Sequence, residues 1–62
     1  MNDIDRIIDS LKDAKFMSNY YNGLAMESTR PEIRNLFLKL LKDEQDHART
    51  LSFLLQRITI RE

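Results

Sequence analysis

The sequence predicts an all-α protein folded as an antiparallel two-helix hairpin, and three observations carry that expectation. Apolar residues recur at three- and four-residue steps through two long stretches, the period of a helix face. The single proline, Pro31, falls between those stretches, and Gly23 is the only glycine. Charged residues make up 32% of the chain and are spread along it, a composition that suits solvent-facing helix better than sheet or disorder.

The first helix is expected over residues 3–27. Ile4, Ile7, Ile8, Leu11, Ala14, Ser18, Tyr21 and Ala25 form its seam. Asn2 is placed to cap its start, with Asp5 three residues on as a capping-box partner. Gly23 lies inside the final turns, where a small residue suits a close backbone approach at a cost of about 1 kcal/mol relative to Ala. The hinge is expected over residues 28–31, in Ser28-Thr29-Arg30-Pro31. The residue before a proline resists the helical region, and Thr29 with Glu32 has capping-box spacing. The second helix is expected over residues 32–58, ending where the β-branched run Ile58-Thr59-Ile60 lowers helix propensity. Its seam, Ile33, Phe37, Leu40, Glu44, His47, Leu51, Leu54 and Ile58, alternates four- and three-residue steps as a heptad pattern does.

Each helix carries more apolar surface than one shared seam can cover. Phe16, Met17, Tyr20 and Leu24 form a second stripe on the first helix, and Leu38, Leu41, Ala48 and Leu55 form one on the second. Large exposed apolar patches are uncommon on monomers. The expectation is therefore a homodimer, or a larger even assembly, in which two hairpins make one four-helix bundle. Ile33, Phe37, Leu40, Leu41, Leu51 and Leu54 are the expected core and dimer residues.

Composition narrows the partners. Ten basic and ten acidic residues cancel, so nothing favours nucleic acid or an anionic membrane. Apolar runs are broken by charges and too short to span a bilayer, and Met1-Asn2-Asp3-Ile4-Asp5 is acidic, unlike a secretory leader. There is no cysteine for a disulfide or thiolate site. No glycine-rich loop offers a phosphate cradle, and no Ser, His and Asp set suggests a triad.

The chemistry-bearing motif is Glu44-Gln45-Asp46-His47, which contains the only histidine. A Glu and a His three residues apart share one helical face and can reach one metal ion. Glu-x-x-His on an inward face is also half of the ligand set of ferritin-like di-metal bundles, whose other half is a glutamate from each remaining helix. Two readings follow. In one, Glu44 and His47 from two subunits hold iron, manganese or zinc. In the other, they belong to a buried polar layer that sets helix register. Level-matching about a hinge near residues 29 and 30 puts Lys15 opposite Glu44 and Lys12 opposite His47, with no carboxylate on that seam. This favours the polar layer, with Lys15 as the countercharge and Ser18 or Asn22 beside it. Asp43 and Asp46 are expected to face solvent.

Several stretches together resemble the Coat F domain: Leu11-Lys12-Asp13-Ala14-Lys15-Phe16, Tyr20-Tyr21, the hinge segment from Ala25 to Arg34, and Asp43-Glu44-Gln45-Asp46-His47. The segment from Phe37 to Phe53 is also similar to the first Glu-x-x-His helix of rubrerythrin, an alignment that places Lys12 where rubrerythrin has its first-helix glutamate. The resemblance implies a ferritin-like bundle and a non-enzymatic structural or interaction role of the spore coat F type. It further implies other coat proteins as partners and a spore-coat location; composition alone points to a soluble, cytoplasmic protein, and the lysines level with Glu44 and His47 point to no cofactor. The alternatives are a minimal ferritin-like protein binding iron or manganese through Glu44 and His47, and a regulatory, antitoxin-like dimer that offers a groove to a partner protein.

Overall fold

In the computed structural model, which describes residues 2–61, the chain forms α1 (Asp3–Glu27) and α2 (Pro31–Arg61), packed against each other as a hairpin. The Asn2 cap forms: its Oδ1 accepts a hydrogen bond from the Asp5 N–H at 2.8 Å, satisfying one of the free donors of the first turn. Asp3 and Asp5 add negative charge where the helix dipole is positive. At the other end, Ser28 leaves the helix in an extended conformation, and its N–H reaches Ala25 O at 3.3 Å.

The turn is held by a different set of contacts from the one its spacing suggests. The Arg30 carbonyl accepts from the N–H groups of Ile33 and Arg34 at 3.1 and 3.0 Å, so Arg30 is the N-cap and Pro31 the first helical residue. That position suits proline, whose missing N–H would have no intrahelical partner. Thr29 thus sits one residue too early to cap, and no Thr29–Glu32 capping box forms among the described residues. Arg34 closes the turn instead: its Nη2 donates to Ser28 O at 3.1 Å.

Helix α2 continues to Arg61, past the expected end at residue 58. The Thr59 hydroxyl donates back to Leu55 O at 2.9 Å and Gln56 O at 3.1 Å, so this β-branched residue is accommodated within the last turns.

The register follows the centre of the hinge. Tyr21 stacks on Phe37 with ring centroids 6.4 Å apart and an interplanar angle of 23°. The closest packing is alanine: Ala14 and Ala25 are 5% and 2% exposed, and no other hydrophobic residue is buried among the described residues. Phe37, Leu40, Leu41 and Leu51 are half-buried. Ile33 and Leu54, both expected in the core, are 39% and 43% exposed. A hairpin has one seam, and each of these side chains reaches past the edge of it.

The Cα atoms span 48 × 18 × 11 Å, two helices wide and one helix thick. The radius of gyration is 14.4 Å, whereas a compact domain of this length has about 10.6 Å. The accessible surface is 5007 Å², about 800 Å² more than the roughly 4,200 Å² usual for a folded monomer of this mass. Domains are ordinarily built from at least two packed layers, and this hairpin is one.

Gly23 is an ordinary helical residue: a Cβ built on it meets nothing within 4 Å, so no close backbone approach requires glycine there. Gly23→Ala should therefore stabilise the protein by about 0.5–1 kcal/mol through helix propensity, read as a higher midpoint in thermal unfolding. A lower midpoint would mean that a neighbouring molecule packs against that position.

Candidate functional site

The two helices leave an open groove of about 540 Å³ on one side of the hairpin. From α1 it is lined by Ser10, Asp13, Ala14 and Met17, and from α2 by Glu44, His47, Thr50 and Leu51. The side chains of Glu44 and His47 face each other across one helical turn, with His47 Nδ1 3.6 Å from Glu44 Oε2. Glu44 is the more enclosed of the two: its side chain is 23% exposed, against 66% for His47. The ionic part of the contact exists only while the imidazole is protonated.

Asp13 is the residue that seam-based reasoning misses. Residues on a helix are spaced about 100° apart, so Asp13 lies beside the Ala14 seam rather than on it. On that flank it lines the groove opposite Glu44. Lys15 is turned the other way, about 200° from Asp13, and is exposed. The structure therefore does not bring Lys15 to Glu44. Level-matching places the lysine at the right height, but the helix carries it to the far side. Ser18 also turns away from the groove, its hydroxyl donating to Ala14 O at 2.9 Å.

A smaller groove marks the opposite side of the hairpin. It is lined by Asn22, Ala25, Met26, Arg34 and Leu38. Leu38 is about 180° from His47 around α2, and Asn22 about 140° from Met17 around α1. The side holding the Glu44 groove is called the front here, and the other the back. The second apolar stripes of the two helices thereby fall on different sides. Met17, Tyr20 and Leu24 run along the front, where Leu36 and Leu54 share the His47 side of α2, and Leu38 leads the stripe on the back. Tyr20, Leu36 and Leu54 are 52%, 50% and 43% exposed on the front, and Met26 and Leu38 are 78% and 43% exposed on the back.

Of the remaining acidic candidates, Asp43 pairs with Lys39 at 2.9 Å and Asp46 with Arg49 at 3.6 Å. Asp46 is exposed and Asp43 half-buried. Among the described residues, no three His, Asp or Glu side chains converge closely enough to hold a metal ion. No helix among them is long and apolar enough to cross a membrane.

The site is a Glu-x-x-His pair in a shallow groove between the two helices of a hairpin. Comparison with known families is specific: the Coat F domain matches residues 2–57, and the chain belongs to that family. Neither the curated proteins nor the solved structures contain a significant match.

The geometry sets the strength of the Glu44–His47 contact. A double-mutant cycle on the two residues should give a coupling of about 1 kcal/mol or less. A coupling well above that would mean that the pair is shut away from water in the working protein.

Proposed function

We propose that this chain is a non-enzymatic structural and interaction component of the spore coat F type. It works as a homodimer or larger assembly in which hairpins pack into a four-helix bundle. The observation that carries the reading is the one-layer fold. The surface excess of about 800 Å² equals what one partner contributes to a standard protein–protein interface. Family membership supports the spore-coat role and a location in the coat, with other coat proteins as further partners.

Sedimentation equilibrium tests the reading. The protein should be associated at micromolar concentration, with monomer appearing only on dilution. A folded, strictly monomeric hairpin at those concentrations would overturn it.

One observation favours a second reading. Asp13 brings to the groove the α1 carboxylate that the sequence pattern lacks, so two facing copies would offer two Asp13, two Glu44 and two His47 to iron or manganese. Metal analysis of untagged protein, before and after addition of ferrous iron, decides between the two. Less than about 0.1 equivalent of iron per chain is expected if the role is structural. Stoichiometric iron that is lost in both Glu44→Ala and His47→Ala would establish the metal reading instead.

A further inference from the structure

The two sides of the hairpin differ in charge as well as position. Halfway along its length, the front presents Asp13 and Glu44 with His47 beside them. At the same height, Lys15 lies on the back, seven residues before Asn22 and so on the same side of α1. Lys12 stands one turn away at the outer edge. Both lysines are exposed, and neither has an ion-pair partner among the described residues. Asp13 and Glu44 likewise have no Lys or Arg partner there. On α2, the back at this level is neutral, with Gln45 seven residues on from Leu38. Each side also carries exposed apolar residues: Tyr20, Leu36 and Leu54 in front, and Met26 and Leu38 behind.

We propose that copies of this chain associate front to back, with Lys12 and Lys15 of one copy set against Asp13 and Glu44 of the next, so that assembly continues past the dimer. The proposal rests on the self-association argued above and specifies its geometry.

The alternatives are closed pairs. Front against front would bring four carboxylates without a Lys or Arg partner together with two imidazoles, the Lys39–Asp43 pair on the same side being neutral as a unit, because a two-fold contact pairs a patch with its own copy. Back against back would bring four ammonium groups together. Burying like charges in a contact is strongly unfavourable, whereas front to back opposes two carboxylates to two ammonium groups. Both clusters sit near mid-length, so they meet whether successive hairpins run in the same or in opposite directions. Front-to-back contact is heterologous: every added copy leaves one free front and one free back, and a contact that does not close into a ring grows into an open array. The one-helix thickness suits such stacking, since each layer covers the apolar residues of the one below.

Charge reversal on one side at a time tests this. One variant carries Lys12→Glu and Lys15→Glu, and the other Asp13→Lys and Glu44→Lys. Each is followed by sedimentation velocity, with circular dichroism confirming helicity. Wild type should exceed dimer mass as concentration rises. Each variant alone should associate at least tenfold more weakly, and an equimolar mixture should recover wild-type assembly, because the acidic front of the first meets the basic back of the second. A lysine-reversed variant that associates like wild type would mean a front-to-front pair and overturn the proposal. An unaffected carboxylate-reversed variant would do the same through a back-to-back pair. Two helical variants whose mixture does not assemble, or a wild type that stops at dimer, would also overturn it. A wild type that never associates would instead refute the self-association reading itself.

Should the carboxylate reversal disturb helicity, salt gives an independent readout on wild type. Association should weaken at least tenfold between 50 mM and 500 mM sodium chloride, because opposite charges are screened. Strengthening with salt would indicate like charges in contact and contradict the stacking.

Discussion

Two helices side by side share one line of contact, and in this chain the residues most fully buried along it are two alanines of α1. Ala14 and Ala25 are the two buried hydrophobic residues among those described. Burying a methyl group contributes little: at about 25 cal/mol per Å² of apolar surface, it is the large side chains that stabilise a core. Here Phe37, Leu40, Leu41 and Leu51 are half-covered, and Tyr20, Leu36 and Leu54 are about half exposed. The apolar surface needed for a stable fold is present, but a single hairpin has no second layer to set against it.

That constraint organises the rest. The caps and the hinge define a hairpin locally, through Asn2 at the start of α1, Arg30 and Pro31 at the start of α2, and Arg34 bonded back to Ser28. These contacts set the register, which the Tyr21–Phe37 stack extends into the seam. Register in turn places Asp13, Glu44 and His47 around one groove and keeps Lys15 on the other side. The polar cluster is thus a feature of a surface rather than of a finished core. Its part in the protein depends on what lies against that surface.

Much of this was legible in the sequence because it depends on local chemistry or on spacing along one helix. The period of the apolar residues, the Asn2 cap and the break before Pro31 are of that kind. Counting outward from the hinge also placed Lys15 level with Glu44. What counting cannot supply is direction around the helix. Asp13 and Lys15 are two residues apart, similar in height, and on opposite sides of α1; the groove opens on the Asp13 side, which spacing along one helix does not determine. The same geometry parts the stripe led by Leu38 from the one containing Met17. The cap of α2 is harder to read, because Thr29 with Glu32 mimics a capping box, whereas proline's preference for the first helical position makes Arg30 the cap. The β-branched run at residues 58–60 lowers helix propensity without ending the helix, and the Thr59 hydroxyl is satisfied by the carbonyls behind it.

The central claim is that the hairpin is one layer of a larger core and draws its stability from association. The most direct test is the dependence of the thermal unfolding midpoint on protein concentration, followed by circular dichroism from about 1 to 100 μM. When folding and association are linked, mass action raises the midpoint with concentration, and an increase of several degrees across that range is predicted. A midpoint that stays constant over the same range, with full helicity at the lowest concentration, would show that the hairpin is stable alone and contradict the claim.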